Sequence, residues 1–293
     1  MNVLVISHQR SGTHFLIDSI LNNIENTVFP EIRPSYSSIQ NLLLPHDQEV
    51  TDRFYEYTFP KEHNTELRIF KTHILPEEFE IALHENGLPE DSKERIILEQ
   101  LYYNSRKVYI LRDPYDTLVS RFHYEKSGGG IYNAMESRLK EMTPSEYIRS
   151  FNYHIMPGRA MKDYDRNVVA YLAYHQKVWL MHDVIAVNYE NLKNSFEETI
   201  KKLAASLGLQ EHLKTNIRKP VILKPSNVIG SHFVYKVQRK ILKWANIRST
   251  VVKPRKGVVG DHKNYFSKED YEFIDREIQR INEMAYGPVR VEV

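Results

Sequence analysis

Four short apolar runs stand out along the chain: Val3-Leu4-Val5-Ile6, Leu67-Arg68-Ile69-Phe70, Lys107-Val108-Tyr109-Ile110-Leu111 and Val184-Ile185-Ala186-Val187-Asn188. Runs this short and nearly continuous predict strands buried on both faces, the pattern of a parallel sheet. Between them the spacing turns helical. Phe15, Leu16, Ser19 and Ile20 follow the first run, Tyr115 to Tyr124 follow the third, and Val168, Tyr171, Leu172, His175, Val178 and Trp179 precede the fourth. Strands alternating with helices predict one α/β domain over residues 1–293, a central parallel β-sheet flanked by helices.

Capping signals place the other helices. Leu83 to Tyr103 reads as helices broken at Gly87-Leu88-Pro89, and Thr143-Pro144-Ser145-Glu146 has capping-box spacing. Ser195-Phe196-Glu197-Glu198 opens a helix expected to stop at Leu207-Gly208, and Ser267-Lys268-Glu269-Asp270 opens the last one. Residues 28–66, rich in Pro, Tyr and Asn, read as irregular cover and not core, and residues 127–165, entered through Gly128-Gly129-Gly130, as a mobile segment over a site.

Composition narrows the class without naming a ligand. With 41% hydrophobic and 27% charged residues the chain is an ordinary soluble protein, and a net charge of +2 gives no reason to expect nucleic acid. No apolar run reaches membrane-spanning length and the chain starts on a strand without a basic leader, so the expected location is cytoplasmic. Zero Cys excludes disulfides, thiolate nucleophiles and Cys-ligated metals.

The chemistry gathers where strands end. Ser7-His8-Gln9-Arg10-Ser11-Gly12-Thr13-His14 joins the first strand to the first helix, and such a strand–loop–helix presents backbone N–H groups and a dipole to an anion. Against the triphosphate loop G-x-x-x-x-G-K-S/T, Gly12 is kept. Ser7 replaces the first Gly, Thr13 the Lys and His14 the magnesium hydroxyl, so the loop is P-loop-like but built for a phosphate without a metal. An ordinary turn capped by Ser11 or Thr13 is the plainer alternative. The second strand ends at Lys71-Thr72-His73, two cationic or basic side chains on one face of extended chain. The third ends at Arg112-Asp113-Pro114, with Ser120 two turns into the following helix; a surface pairing of Arg112 with Asp113 or Asp116 is the alternative there. Tyr189-Glu190-Asn191-Leu192 closes the fourth strand.

Between Lys219 and Lys256 there is no Asp or Glu, and residues 233–245 form a basic amphipathic stretch. Its Lys236, Arg239, Lys240 and Lys243 suit peripheral contact with anionic lipid, an anionic acceptor or cofactor, or a solvated helix face alike. Arg255-Lys256-Gly257 then makes a compact anion grip, opening the run to Ser267.

Taken together these motifs resemble the sulfotransferases that use 3′-phosphoadenosine 5′-phosphosulfate (PAPS), most closely the cytosolic type. Gln9 to Phe15 is similar to the family's 5′-phosphosulfate loop P-K-S-G-T-T-W, and Lys71 to Pro76 to its catalytic K-T/S-H-L-P with Ile74 inserted. Arg112 to Ser120 matches the 3′-phosphate motif R-N/D-P-x-D-x-x-V-S, Tyr189 to Leu192 matches Y-E-D/N-L, and Arg255 to Ser267 matches R-K-G-x-x-G-D-W-K-N-x-F-T/S. Five motifs in family order cover nearly the whole chain.

The resemblance implies a PAPS-dependent enzyme moving a sulfuryl group in line to an acceptor hydroxyl, in preference to an amine, with His73 as general base and Lys71 and Arg10 stabilising charge. It implies cofactor binding by Arg10, Ser11, Gly12, Thr13 and His14 at the 5′ end and by Arg112, Ser120, Arg255, Lys256 and Gly257 at the 3′-phosphate. Phe15 and Tyr189 fall on the adenine side, and no metal is called for. A small-molecule, carbohydrate or lipid-linked acceptor would meet residues 28–66, 127–165 and 224–253. Arg10 stands for the loop Lys, as in many carbohydrate and tyrosyl sulfotransferases, while Phe15 and His262 stand for Trp. The family's dimer motif survives only as Lys263, Ser267-Lys268 and Glu272, which leaves the oligomer open. Two other classes stay in view: a P-loop nucleotide kinase, against which the missing loop Lys and hydroxyl speak, and a non-catalytic nucleotide or membrane-surface binding module, against which the complete Lys71 and His73 pair speaks.

Overall fold

All four apolar runs become neighbouring strands in the computed structural model, which describes residues 1–29, 42, 48–60, 66–85, 88–126, 139, 141–150, 161–222, 249–250 and 259–284. They are β1 (Asn2–Ile6), β3 (Leu67–Thr72), β4 (Arg106–Leu111) and β5 (Val184–Asn188), joined by a two-residue strand β2 (Thr27–Val28) too short for any sequence pattern to mark. The sheet is wholly parallel in the order β2-β3-β1-β4-β5. A separate two-stranded pair, β6 (Val221–Ile222) and β7 (Ser249–Thr250), lies outside it.

Both faces of the sheet are covered, as continuous apolar strands require. Val3, Val5, Ile69, Val108 and Ile110 pack against helices α1 (Thr13–Asn23) and α9 (Phe196–Leu207), which contribute Ile17, Ile20 and Leu203. Leu4, Ile6, Phe70 and Tyr109 face the other way, against α2 (Gln48–Thr58), α4 (Lys93–Asn104) and α7 (Val168–Leu180), which contribute Phe54, Leu98 and Trp179. Each such side chain stabilises the fold by about 1.5–3 kcal/mol when fully buried. The remaining helices are α3 (Pro76–Glu80), α5 (Pro114–Lys126), α6 (Pro144–Arg149), α8 (Tyr189–Asn194) and α10 (Lys268–Glu283).

The capping signals hold with one exception. Thr143 and Ser267 form capping boxes with Glu146 and Asp270, and Gly208 ends α9 in the left-handed conformation. Ser195 precedes α9 but makes no side-chain cap.

The larger correction is α2. Residues 48–58 are not irregular cover: Val50, Thr51, Phe54 and Thr58 are buried along one helical face that packs on α4. Val50, Phe54 and Thr58 recur at i, i+4 and i+8 with Thr51 beside them, but two of the four are Thr, which hides the stripe among polar residues and surrounding aromatics.

Topology places the strand ends. β1 sits centrally; the chain leaves it toward β2 and β3, then crosses to β4 on its other side. Ile6 pairs with Thr72 on one flank and with Tyr109 on the other, so residues following β1, β3 and β4 emerge together. Successive connections diverge on either side of β1, and open α/β sheets bind ligands outside the carboxyl ends at such a point.

Candidate active site at the carboxyl ends of the strands

The loop after β1 is built around two unusual backbone positions. Arg10 has φ +71 and Gly12 φ +102, both left-handed. A non-glycine residue there costs about 1–3 kcal/mol, and such strain gathers at functional sites. Arg112, at the end of β4, opposes it: one guanidinium nitrogen donates to the Arg10 carbonyl oxygen at 2.9 Å. The guanidinium of Arg10 lies 4.5 Å from the centre of the Tyr124 ring and that of Arg112 4.9 Å from the Tyr189 ring. Arg112 therefore does not pair with Asp113 or Asp116; it bridges the two loops, and its buried Nε has no hydrogen-bond partner among the described residues.

Gly12 is the N-cap of α1, where no side chain caps the helix and no acidic residue occupies the first turn. Neither Ser11 nor Thr13 caps it. Thr13 instead turns its hydroxyl 2.5 Å from that of Ser7, deep in the loop. First-turn N–H groups with no acid beside them suit an anion.

Tyr189 lies directly over the loop, so that a Cβ on Gly12 would fall 2.4 Å from its ring. Phe15 is buried beneath, edge-on to Tyr189 and close to Phe196, with the Lys193 ammonium 5.3 Å from its ring centre. The two residues expected on the adenine side thus form one aromatic cluster packed against the loop.

Register brings the end of β3 alongside. Lys71 is buried, and that burial lowers its pKa to about 8; its Nζ stands 3.5 Å from Nε2 of His14, which is exposed at the opening. His73 Nδ1 lies 2.7 Å from the Ser7 carbonyl oxygen and 3.0 Å from the Ser7 hydroxyl. A carbonyl oxygen can only accept, so Nδ1 carries the hydrogen and Nε2 is left as the basic atom. Burial, and then the Lys71 cation, push the His73 pKa well below the ordinary imidazole value, so it is neutral near pH 7.

A polar network missed in the sequence lies behind this group. His8 Nδ1–H donates to the Gln9 carbonyl at 2.9 Å, so its Nε2 accepts from Arg121 at 3.1 Å. Arg121 is wholly buried and pairs through Nε with Glu125 at 2.7 Å, and the Tyr147 hydroxyl donates to the same carboxylate. This chain ties α6, in the expected acceptor segment, to the end of β1. The signal available was Arg121 and Glu125 at i, i+4 on a helix whose other neighbours are apolar.

On the far side Asp116, buried in the first turn of α5, accepts from the backbone N–H groups of Gly260 at 2.6 Å and His262 at 3.1 Å. The segment Gly260 to Ser267 is thereby fastened to α5, the helix that follows Arg112 and carries half-buried Ser120. Arg255, Lys256 and Gly257, the basic stretch 233–245 and nearly all of 224–253 lie outside the described residues, as do most of residues 30–47, residues 61–65 and 127–138, and 151–160. No helix among the described residues is long and apolar enough to cross a membrane.

Comparison with known proteins gives the family and the fold. The sequence pattern of the family described as the sulfotransferase domain matches residues 95–286, from α4 to just beyond α10. Human sulfotransferase 2B1 is 23% identical over an alignment of 222 residues that covers 69% of this chain and 50% of that protein, so the chain spans about half the length of this curated relative. The structure is similar to that of mouse sulfotransferase SULT7A1 complexed with PAP, at a TM-score of 0.51 and 18% identity, over 97% of this chain and 85% of that one. Because the family's pattern runs through more than half of the sequence, on a fold shared nearly end to end with one of its solved members, the chain belongs to the sulfotransferase domain family.

Proposed function

We propose that the protein transfers a sulfuryl group from PAPS to an acceptor hydroxyl, with His73 as general base. The observation that carries this reading is the meeting of the uncapped α1 N-terminus with a neutral imidazole whose hydrogen is held on Nδ1. The residues fit the cofactor's charges: open first-turn N–H groups at one end, and at the other Arg112 with a buried Nε awaiting an acceptor. When bound, PAPS supplies the sulfuryl group and departs as adenosine 3′,5′-bisphosphate (PAP).

The protein's part is placement and charge compensation. Ser11, Gly12, Thr13 and His14 would hold the 5′-phosphate, Arg10 and Lys71 would offset the charge that develops there, and His73 Nε2 would take the acceptor proton. Arg112 and Ser120 would hold the 3′-phosphate together with Arg255, Lys256 and Gly257, and Tyr189 would border the adenine side. The acceptor would lie toward α2 and α6, and a small alcohol, a phenol, a sugar or a lipid-linked glycan would each meet the same base.

A transfer screen with labelled PAPS across those four acceptor classes tests the activity. His73→Ala is expected to bind PAP as the wild-type protein does while losing transfer. Turnover by that variant at the wild-type rate would refute the base assignment, and Mg²⁺-dependent ATP binding without PAP binding would point instead to a nucleotide kinase.

A further inference from the structure

His73 sits in a short link that neither neighbouring element holds. β3 ends at Thr72 and α3 begins at Pro76, so the carbonyls of the intervening residues have no sheet ladder to enter. Two of them are taken by side chains of α7, one turn apart. His175 Nε2 lies 3.1 Å from the His73 backbone oxygen, and Trp179 Nε1 donates to that of Ile74 at 2.9 Å. The other ring nitrogen of His175, Nδ1, is 2.8 Å from the Tyr109 hydroxyl. His175 and Trp179 are wholly buried and Tyr109 is nearly so.

The hydrogen positions follow from what each partner can do. The His73 oxygen only accepts, so His175 carries its hydrogen on Nε2, and its bare Nδ1 takes the Tyr109 O–H. Burial keeps His175 neutral, its pKa down at about 3. His73, bonded through Nδ1 to the Ser7 carbonyl, is the opposite tautomer. The two imidazoles are thus joined through one peptide carbonyl. Among the apolar residues lining that face of α7, an aliphatic side chain would fill the space without the desolvation that a ring with two polar nitrogens incurs.

We propose that His175, oriented by Tyr109, is a positioning residue for His73. Its Nε2–H fixes the base's own carbonyl, while Ser7 fixes the ring, and between them Nε2 of His73 is held in one place as the proton acceptor. This rests on the reading of His73 as the base.

The test uses His175→Leu, His175→Gln and Tyr109→Phe in the full chain, followed by PAP calorimetry, single-turnover transfer and ¹⁵N NMR of the imidazoles without cofactor. In the wild-type protein His73 is expected as Nδ1–H and His175 as Nε2–H. His175→Leu should keep PAP affinity, lose roughly 10–100-fold in turnover at unchanged acceptor KM, and show His73 averaging between tautomers. His175→Gln, whose amide can donate to the same carbonyl, should recover most of the rate. Tyr109→Phe removes one hydroxyl and should lose severalfold with the fold intact, which keeps the test open should His175→Leu fail to fold.

A wild-type rate in His175→Leu, an undisturbed His73 tautomer, or a Gln variant as slow as Leu overturns the inference. A wild-type protein that binds PAP but transfers nothing overturns the proposed activity, while the His73 signal still decides whether His175 holds it.

Discussion

Gly12→Ala tests whether the loop and the Tyr189 ring form one packed unit. The added methyl group would lie 2.4 and 2.6 Å from two ring carbons, at a backbone φ of +102. An L side chain in the left-handed region costs about 1–2 kcal/mol. The ring cannot simply swing aside: it is buried, edge-on to Phe15 and covered by the Arg112 guanidinium, so displacing it costs about 1–3 kcal/mol of overpacking. Together the substitution should destabilise the protein by about 2–5 kcal/mol, which lowers Tm by roughly 4–10 °C for a chain of this size. The assay is thermal unfolding of a double-mutant cycle with Tyr189→Ala. In the Tyr189→Ala background the increment from Gly12→Ala should shrink to the backbone share of about 1–2 kcal/mol, because the colliding ring is gone. An equal increment in both backgrounds, or a single variant within about 1 °C of wild type, refutes the packing argument.

Three further expectations follow from the same site. Asp116→Ala leaves the N–H groups of Gly260 and His262 without their acceptor and should cost about 2–4 kcal/mol by urea titration, with weaker PAP binding; Asp116→Asn, which keeps one oxygen, should cost less. Lys71, with its pKa lowered to about 8, should lose its charge above that pH, so PAP affinity measured by calorimetry should fall between pH 7 and 9.5, and a Lys71→Met protein should show no such fall. His8, His73 and His175 are held neutral well below the ordinary imidazole pKa, chiefly by burial. The unfolded chain therefore binds protons below about pH 6.5 that the folded one does not, and stability should drop with falling pH by up to about 1.4 kcal/mol per histidine per unit; identical urea midpoints at pH 7 and 5.5 would contradict this.

The sheet and the positions of the motifs were legible because each depends on short-range pattern: an apolar run, then a polar strand end, then a cap. Ser7 to His14, Lys71 to His73 and Arg112 to Ser120 all emerge where that pattern places them. What joins these stretches is not local. That Arg112 would hold the Arg10 carbonyl, rather than a neighbouring Asp, depends on β1 and β4 being adjacent. His175 fits its helix's apolar spacing and so reads as one more core position; only the structure reveals the two polar partners that a buried imidazole must find. The helix α2 was lost because two of its buried positions are Thr, and the departures at Arg10 and Phe15 gave no sign that one would bend the loop and the other disappear beneath Tyr189.

The central place of β1 has a consequence for assembly. The loop after β1 and the end of β3 belong to the first quarter of the chain, while Arg112, Tyr189 and the Gly260 segment come from the rest, and within the sheet the two portions are joined by the β1–β4 ladder. A bisphosphate held between them would act as a strut across that seam, opposing its opening from both sides. PAP should then slow hydrogen exchange along β1 and β4 more than at the β2 edge, stabilising the protein in proportion to RT ln(1 + [PAP]/Kd). The portions that build the recess are, on this account, also the ones its occupant keeps from parting.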